Sequence, residues 1–120
     1  MRRGGNKYHA RPTGGNASRK EARREAQLRL LQRAGQISQL RTQVPFELIP
    51  AQYGPDTTGP RGGKKRGKCL ERSVVYVADF VYLDKDGQQI VEDSKGFRTK
   101  DYIIKRKLML WVHGIQIRET

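Results

Sequence analysis

Val74-Val-Tyr-Val-Ala-Asp-Phe-Val-Tyr-Leu-Asp-Lys-Asp-Gly-Gln-Gln-Ile-Val-Glu-Asp-Ser-Lys95 is the stretch whose reading decides the fold. At a two-residue period, Val75, Val77, Asp79 and Val81 share one face of a strand, and Val74, Tyr76, Ala78, Phe80 and Tyr82 share the other. Two apolar faces mark a central strand covered on both sides. An ionised carboxylate in that setting is costly unless a cation, a donor or water meets it, so Asp79 requires a partner. Asp84-Lys85-Asp86-Gly87 ends in an Asp-Gly pair that favours a tight reversal, which makes the strands around Tyr82 and Gln89 antiparallel neighbours. On the second strand Val91, Asp93 and Lys95 fall on one face, with Glu92 and Ser94 on the other. A regular register therefore brings Asp79, Asp93 and Lys95 to one spot. Two carboxylates beside an amine make a hard, oxygen-lined site for Mg²⁺ or Mn²⁺, with the lysine left to meet a phosphate or a water.

The chain around this hairpin is short and strongly basic. Its 120 residues support one domain with one modest core. With 25 basic against 12 acidic residues the net charge is +13, which points to a polyanionic partner, nucleic acid first. The charge is uneven: residues 1 to 41 hold eleven Lys or Arg against two Glu, and Arg61 to Arg72 hold six against one. Basic surface around an acidic pocket suits a metal-dependent enzyme acting on a phosphodiester backbone. The single cysteine, Cys69, allows no internal disulfide, and no Cys/His cluster has zinc-site spacing, so a reducing compartment such as the cytoplasm is expected. No apolar run approaches a membrane span, and the first residues lack the apolar core expected of a secretory signal.

Residues 1–17, polar and rich in Gly and Arg, are expected to form a flexible basic arm in which Tyr8 and His9 are solvated. A single domain is expected over 18–120. Ser18 to Ala34 reads as a helix with Ser18-Arg-Lys-Glu21 as a capping box, a stripe of Ala22, Ala26, Leu30, Leu31 and Ala34, and Gly35 as its stop. Glu21 is read either as that cap or as a third carboxylate brought to the metal site. Val44 to Ile49 reads as the first strand, edged or bulged at Pro45. The segment 50–70 reads as a long basic loop whose Lys64, Lys65 and Arg66 contact phosphate or serve solubility. A second helix is expected from about Thr99, its N-cap, to His113, with Ile104, Leu108 and Trp111 buried, Gly114 as stop, and Ile115-Gln-Ile117 as a last strand. His113 is expected to cap a helix carbonyl, and Arg98 and Lys105 to lie near the site as phosphate contacts.

The predicted order of an α/β (α+β) fold, helix, three strands, helix, strand around a mixed sheet, with Asp79 followed by Asp93-Ser-Lys95, resembles the restriction-endonuclease-like core of the PD-(D/E)XK nuclease superfamily. Ser18-Arg-Lys-Glu-Ala-Arg, Pro45-Phe-Glu-Leu-Ile-Pro, Tyr76-Val-Ala-Asp-Phe-Val-Tyr, Val91-Glu-Asp-Ser-Lys-Gly and Thr99-Lys-Asp-Tyr-Ile-Ile-Lys-Arg-Lys are similar to an uncharacterised phage and prophage family assigned to that superfamily. The match runs from Lys7-Tyr8 to the end and leaves out the basic loop. It implies a Mg²⁺- or Mn²⁺-dependent DNA endonuclease of a bacterial host's cytoplasm, its substrate open among a branched junction, nick, flap and ordinary duplex; structure-selective cutting in the manner of Holliday-junction resolvases would call for a two-fold homodimer. Asp79 and Asp93 would be metal ligands, Glu21 a further ligand or a residue behind them, and Lys95 would orient or help deprotonate the attacking water. Two departures stand out: Ala78 replaces a proline before Asp79, and Glu92 beside Asp93 is an alternative acid that a bulge would turn to the metal. The competing reading is a non-catalytic basic protein that coats nucleic acid, its acids and lysine forming a structural ion-pair cluster.

Overall fold

The computed structural model describes residues 16–95 and 97–120, with side chains from Ser18 onward. The arm expected over 1–17, with Tyr8 and His9, lies outside the described residues apart from its last two, which begin a helix. The chain runs α1 (Asn16–Arg33), β1 (Ser38–Ile49), four short strands β2 (Gln52–Tyr53), β3 (Thr57–Thr58), β4 (Lys64–Lys65) and β5 (Cys69–Glu71), then β6 (Val74–Leu83), β7 (Gln89–Asp93), α2 (Lys100–His113) and β8 (Arg118–Glu119). Strands β1, β6, β7 and β8 form one mixed sheet in that order: β1, β6 and β7 are antiparallel neighbours, and β8 joins β7 in parallel.

The β6–β7 hairpin forms because its turn is self-sufficient. Asp84 Oδ1 accepts from the backbone N–H of Asp86 and Gln88, both at 2.9 Å, and Gly87 takes the left-handed conformation, φ 81°, that a Cβ would strain. From there Val81 faces Val91 and Phe80 faces Glu92. The second helix ends as the sequence predicts: Thr99 Oγ1 accepts from Tyr102 N–H at 3.1 Å, and Gly114 closes the helix at φ 68°.

Each side of the sheet has its own core. Leu48, Tyr76, Ala78, Val81 and Val91 pack with Tyr102, Met109 and Ile117 on the α2 side, whereas Leu28, Ile37, Phe80 and Tyr82 pack on the α1 side. Strict alternation on β6 is therefore corrected. Ala78 and Val81 lie in one core and Phe80 in the other, so the strand changes its facing at Asp79. Opposite that point β1 is distorted: Gln43 has φ 51°, and the ladder passes from Thr42–Phe80 to Val44–Ala78 without a 43–79 pair.

Both predicted helix stripes are also corrected. On α1, Leu28 is the buried apolar residue, while Ala22, Ala26, Leu30, Leu31 and Ala34 are exposed. The face toward the sheet is held by polar bonds that apolar periodicity does not register, among them Gln32 Oε1 accepting from Leu40 N–H at 2.8 Å. On α2, Tyr102 and Met109 are buried and Leu108 is half-buried, whereas Ile104 and Trp111 are exposed. The final pairing falls at Arg118–Glu119 rather than at 115–117, because Ile115 and Ile117 turn into the core before the chain reaches β7. His113 Nε2 meets Glu47 O of β1 at 2.7 Å, not a carbonyl of its own helix.

The segment expected as a loop at 50–70 is instead a two-tiered antiparallel ribbon, β2 on β5 and β3 on β4. Gly54 N–H donates to Lys68 O at 2.7 Å, and a Cβ on Gly67 would collide with the carbonyl oxygens of Gly54 and Pro55, so the ribbon's closest crossing requires glycine. No described helix is long and apolar enough to cross a membrane.

Candidate active site

Where β7 parts from β6, the side chain of Asp79 replaces the next ladder bond: its Oδ2 accepts from Ser94 N–H at 2.8 Å. This anchors Asp79 at the rim of an open cavity of about 270 Å³ whose lining includes Asp93, Lys95, Tyr102, Asp101 and Lys105. Burial pushes the Asp79 carboxyl up, and with the neighbouring charges of Asp93 and Glu21 acting against Ser94 N–H and Lys95 it reaches about 6. It therefore exchanges a proton near neutrality, which an ordinary surface aspartate does not.

Asp93 is 2 % exposed. Its Oδ2 accepts from the Tyr76 hydroxyl, and burial together with that bond raises the Tyr76 pKa, keeping the phenol protonated as a donor. Its Oδ1 lies 3.2 Å from Lys95 Nζ, an ion-pair distance, and this buried oxygen has no hydrogen-bond partner among the described residues. Lys95 is held from below, its Nζ 4.5 Å from the centre of the Tyr102 ring, and Tyr102 is in turn fixed by its hydroxyl donating to Glu119 Oε2 at 2.6 Å.

Glu92 faces the opposite way. Its carboxylate, without exposed surface, takes two bonds from Arg24 of α1 at 2.8 and 2.7 Å and a third from the Tyr82 hydroxyl. Burial opposes its ionisation, but the Arg24 and Tyr82 bonds outweigh burial and its pKa is lowered. Of the two adjacent acids, Asp93 is thus the one on the cavity. Glu21 accepts from Gln43 Nε2 at 3.1 Å, beside the distorted stretch of β1. The capping role read for Glu21 does not appear, since the helix begins before Ser18.

The cationic residues separate into two groups. Lys105 lines the cavity, and Lys64 and Lys65 are exposed on the ribbon, where Arg66 stacks 4.0 Å from the Tyr53 ring centre. Arg98, by contrast, is committed to Glu119 through bonds of 2.9 and 2.6 Å. Tyr76, Tyr102, Arg24 and Gln43 were not legible as site residues from acid and lysine spacing alone. The one available signal was that a buried tyrosine hydroxyl needs an acceptor, and the strand places Tyr76 and Tyr82 on either side of Asp79.

Asp79 and Asp93 suit a hard cation by donor chemistry, and the spare Asp93 Oδ1 supplies an acceptor for it. Among the described residues no three Asp, Glu, His or Cys side chains form a metal-holding group. The two carboxylates would therefore need water, a substrate oxygen or a movement of Glu21 to complete a coordination sphere.

A family profile described as a protein of unknown function, DUF1064, matches residues 7–118. No curated protein and no solved structure matches the chain.

Proposed function

We propose that this chain, which belongs to the DUF1064 family, is a phage-type, divalent-metal-dependent DNA endonuclease with a restriction-endonuclease-like core, acting in the cytoplasm of a bacterial host. The observation that carries the reading is that Asp79, Asp93 and Lys95 line one open cavity, where the buried Asp93 Oδ1 has Lys95 at ion-pair distance but no hydrogen-bond partner. A purely structural ion pair would more economically spend both oxygens on hydrogen bonds.

Asp79 and Asp93 would hold one or two Mg²⁺ or Mn²⁺ ions, with Glu21 reaching them after release from Gln43. Such an ion supplies positive charge at the scissile phosphate and acidity to a nearby water. Tyr76 orients Asp93 by donating to Oδ2. Lys95, steadied against Tyr102, presents Nζ to a phosphate oxygen or to the attacking water. Lys105 beside the cavity and Lys64, Lys65 and Arg66 on the ribbon would hold the backbone without reading bases. Structure-selective cutting of a junction would call for a two-fold dimer.

A coating protein without catalysis is the second reading, favoured by the lack of a three-carboxylate group among the described residues. Incubation of supercoiled plasmid, linear duplex and a four-way junction with Mg²⁺ or with chelator separates the two. Cleavage in Mg²⁺ alone, reduced roughly 10²–10⁴-fold in Asp93→Asn and Lys95→Ala, supports the enzyme. Undiminished cleavage by these variants, or equal binding and no cutting in both media, rejects it.

A further inference from the structure

A second cavity, of about 280 Å³, opens on the α1 side of the sheet, across Ser94 from the acids. It is lined by Lys20, Arg23, Arg24, Gln27, Ser94 and Thr120, with no acidic side chain among them. Ser94 is only 9 % exposed, and neither its Oγ nor Thr120 Oγ1 has a hydrogen-bond partner. Two residues lining the cavity therefore each carry a buried hydroxyl with a donor to spare, a state that native structures rarely leave uncompensated.

The charges point the same way. Arg24 is neutralised by Glu92, but Lys20 Nζ donates only to the Lys95 carbonyl at 3.2 Å, and Arg23 has no carboxylate partner among the described residues. A water in the cavity would satisfy the hydroxyls and leave both cations without counter-charge. A tetrahedral oxyanion would satisfy the hydroxyls and the charges together. Gln27 Oε1 accepts from Arg24 at 3.1 Å and bonds to neither hydroxyl.

We infer that this cavity is a phosphate-group site, built from the Ser94 and Thr120 hydroxyls with Lys20 and Arg23. Because Ser94 separates Asp93 from Lys95 in the chain, a phosphate seated here sits one residue away from the candidate active site and on the other side of the sheet. The site itself stands without the cleavage reading.

Its test has two arms. In the first, backbone amide resonances are followed while inorganic phosphate replaces chloride at constant ionic strength. Saturable shifts at Ser94 and Thr120, weakened at least fivefold in Ser94→Ala and in Arg23→Ala, are expected. In the second, a duplex oligonucleotide is bound in chelator over a salt series. If the strand is the source, Arg23→Ala lowers the slope of log K against log salt by about 0.9, the value for one phosphate contact, and Ser94→Ala weakens binding at unchanged slope because its hydroxyl carries no charge. A response in the phosphate arm alone supports the site with a free phosphate as its ligand. Identical shifts in phosphate and chloride together with oligonucleotide binding that Ser94→Ala leaves intact would overturn the site, even if Arg23→Ala weakens binding, since that is what an ordinary surface charge does.

Discussion

Asp79 sits where a strand changes its facing, one neighbour's side chain in the α2-side core and the next in the α1-side core. Its carboxyl is raised from 3.8 to about 6 by burial and by the charges of Asp93 and Glu21. The consequence for stability follows from proton linkage. Below about pH 4 both the folded and unfolded chains hold the proton, and the group is neutral to folding. As the pH climbs through 4 to 6 the unfolded chain ionises first, so stability falls, and above 6 the cost is constant. Asp79→Asn keeps an oxygen for Ser94 N–H and removes that cost. Its melting temperature should exceed the parent's by on the order of a few degrees at pH 7.5 and converge with it near pH 4, by thermal denaturation in chelator. A variant less stable than the parent at pH 7.5 would mean that the aspartate belongs to a stabilising ion-pair cluster. Activity bought at a cost in stability is common at functional sites.

Among the elements, some were plain in the sequence and others were hidden for identifiable reasons. The hairpin and the second helix were legible because Asp84, Gly87, Thr99 and Gly114 act through their own backbones, so local rules suffice. The antiparallel approach of Asp79 and Asp93 followed from that turn. The face of α1 was not legible: Lys20, Glu21 and Arg24 bond to residues far along the chain, Gln32 bonds to Leu40 of β1, and among the helix's described side chains only Leu28 is a buried apolar group. Leu28→Ala should thus cost about 2–5 kcal/mol in urea unfolding, with Leu30→Ala within about 0.5 kcal/mol of the parent. The reverse order would restore the stripe expected from periodicity. The basic segment after Pro50 was hidden for another reason. Its pairing depends on glycine close approach rather than on apolar alternation, so it reads as loop. As a ribbon remote from both cores, it should tolerate combined Lys64→Ala, Lys65→Ala and Arg66→Ala without change in melting temperature. Duplex binding should lose up to about 2.7 from its salt slope, three contacts at about 0.9 each. An unchanged slope would leave these charges to solubility.

At the scale of the whole molecule, a net charge of +13 attracts a polyanion while the cavity holding Asp79 and Asp93 repels the phosphate that would have to enter it. These opposing fields give a prediction on binding alone, free of any turnover. With Lys95→Ala as a common background to suppress cutting, Asp79→Asn should tighten duplex binding in chelator, because one repulsive charge is gone. A unit charge about 4 Å away in water is worth roughly 1 kcal/mol, so the gain is on the order of fivefold at low salt and shrinks as screening sets in. In millimolar Mg²⁺ the order should reverse: the background protein gains affinity as a cation offsets its carboxylates, and the Asp79→Asn protein, lacking one of the two proposed ligands, gains less. Such a reversal requires that the cation and the strand meet at Asp79. If Asp79→Asn changes affinity by the same factor in chelator and in Mg²⁺, the acids feel the strand only as distant charges, and the cavity is a structural cluster on the surface of a cationic binding protein.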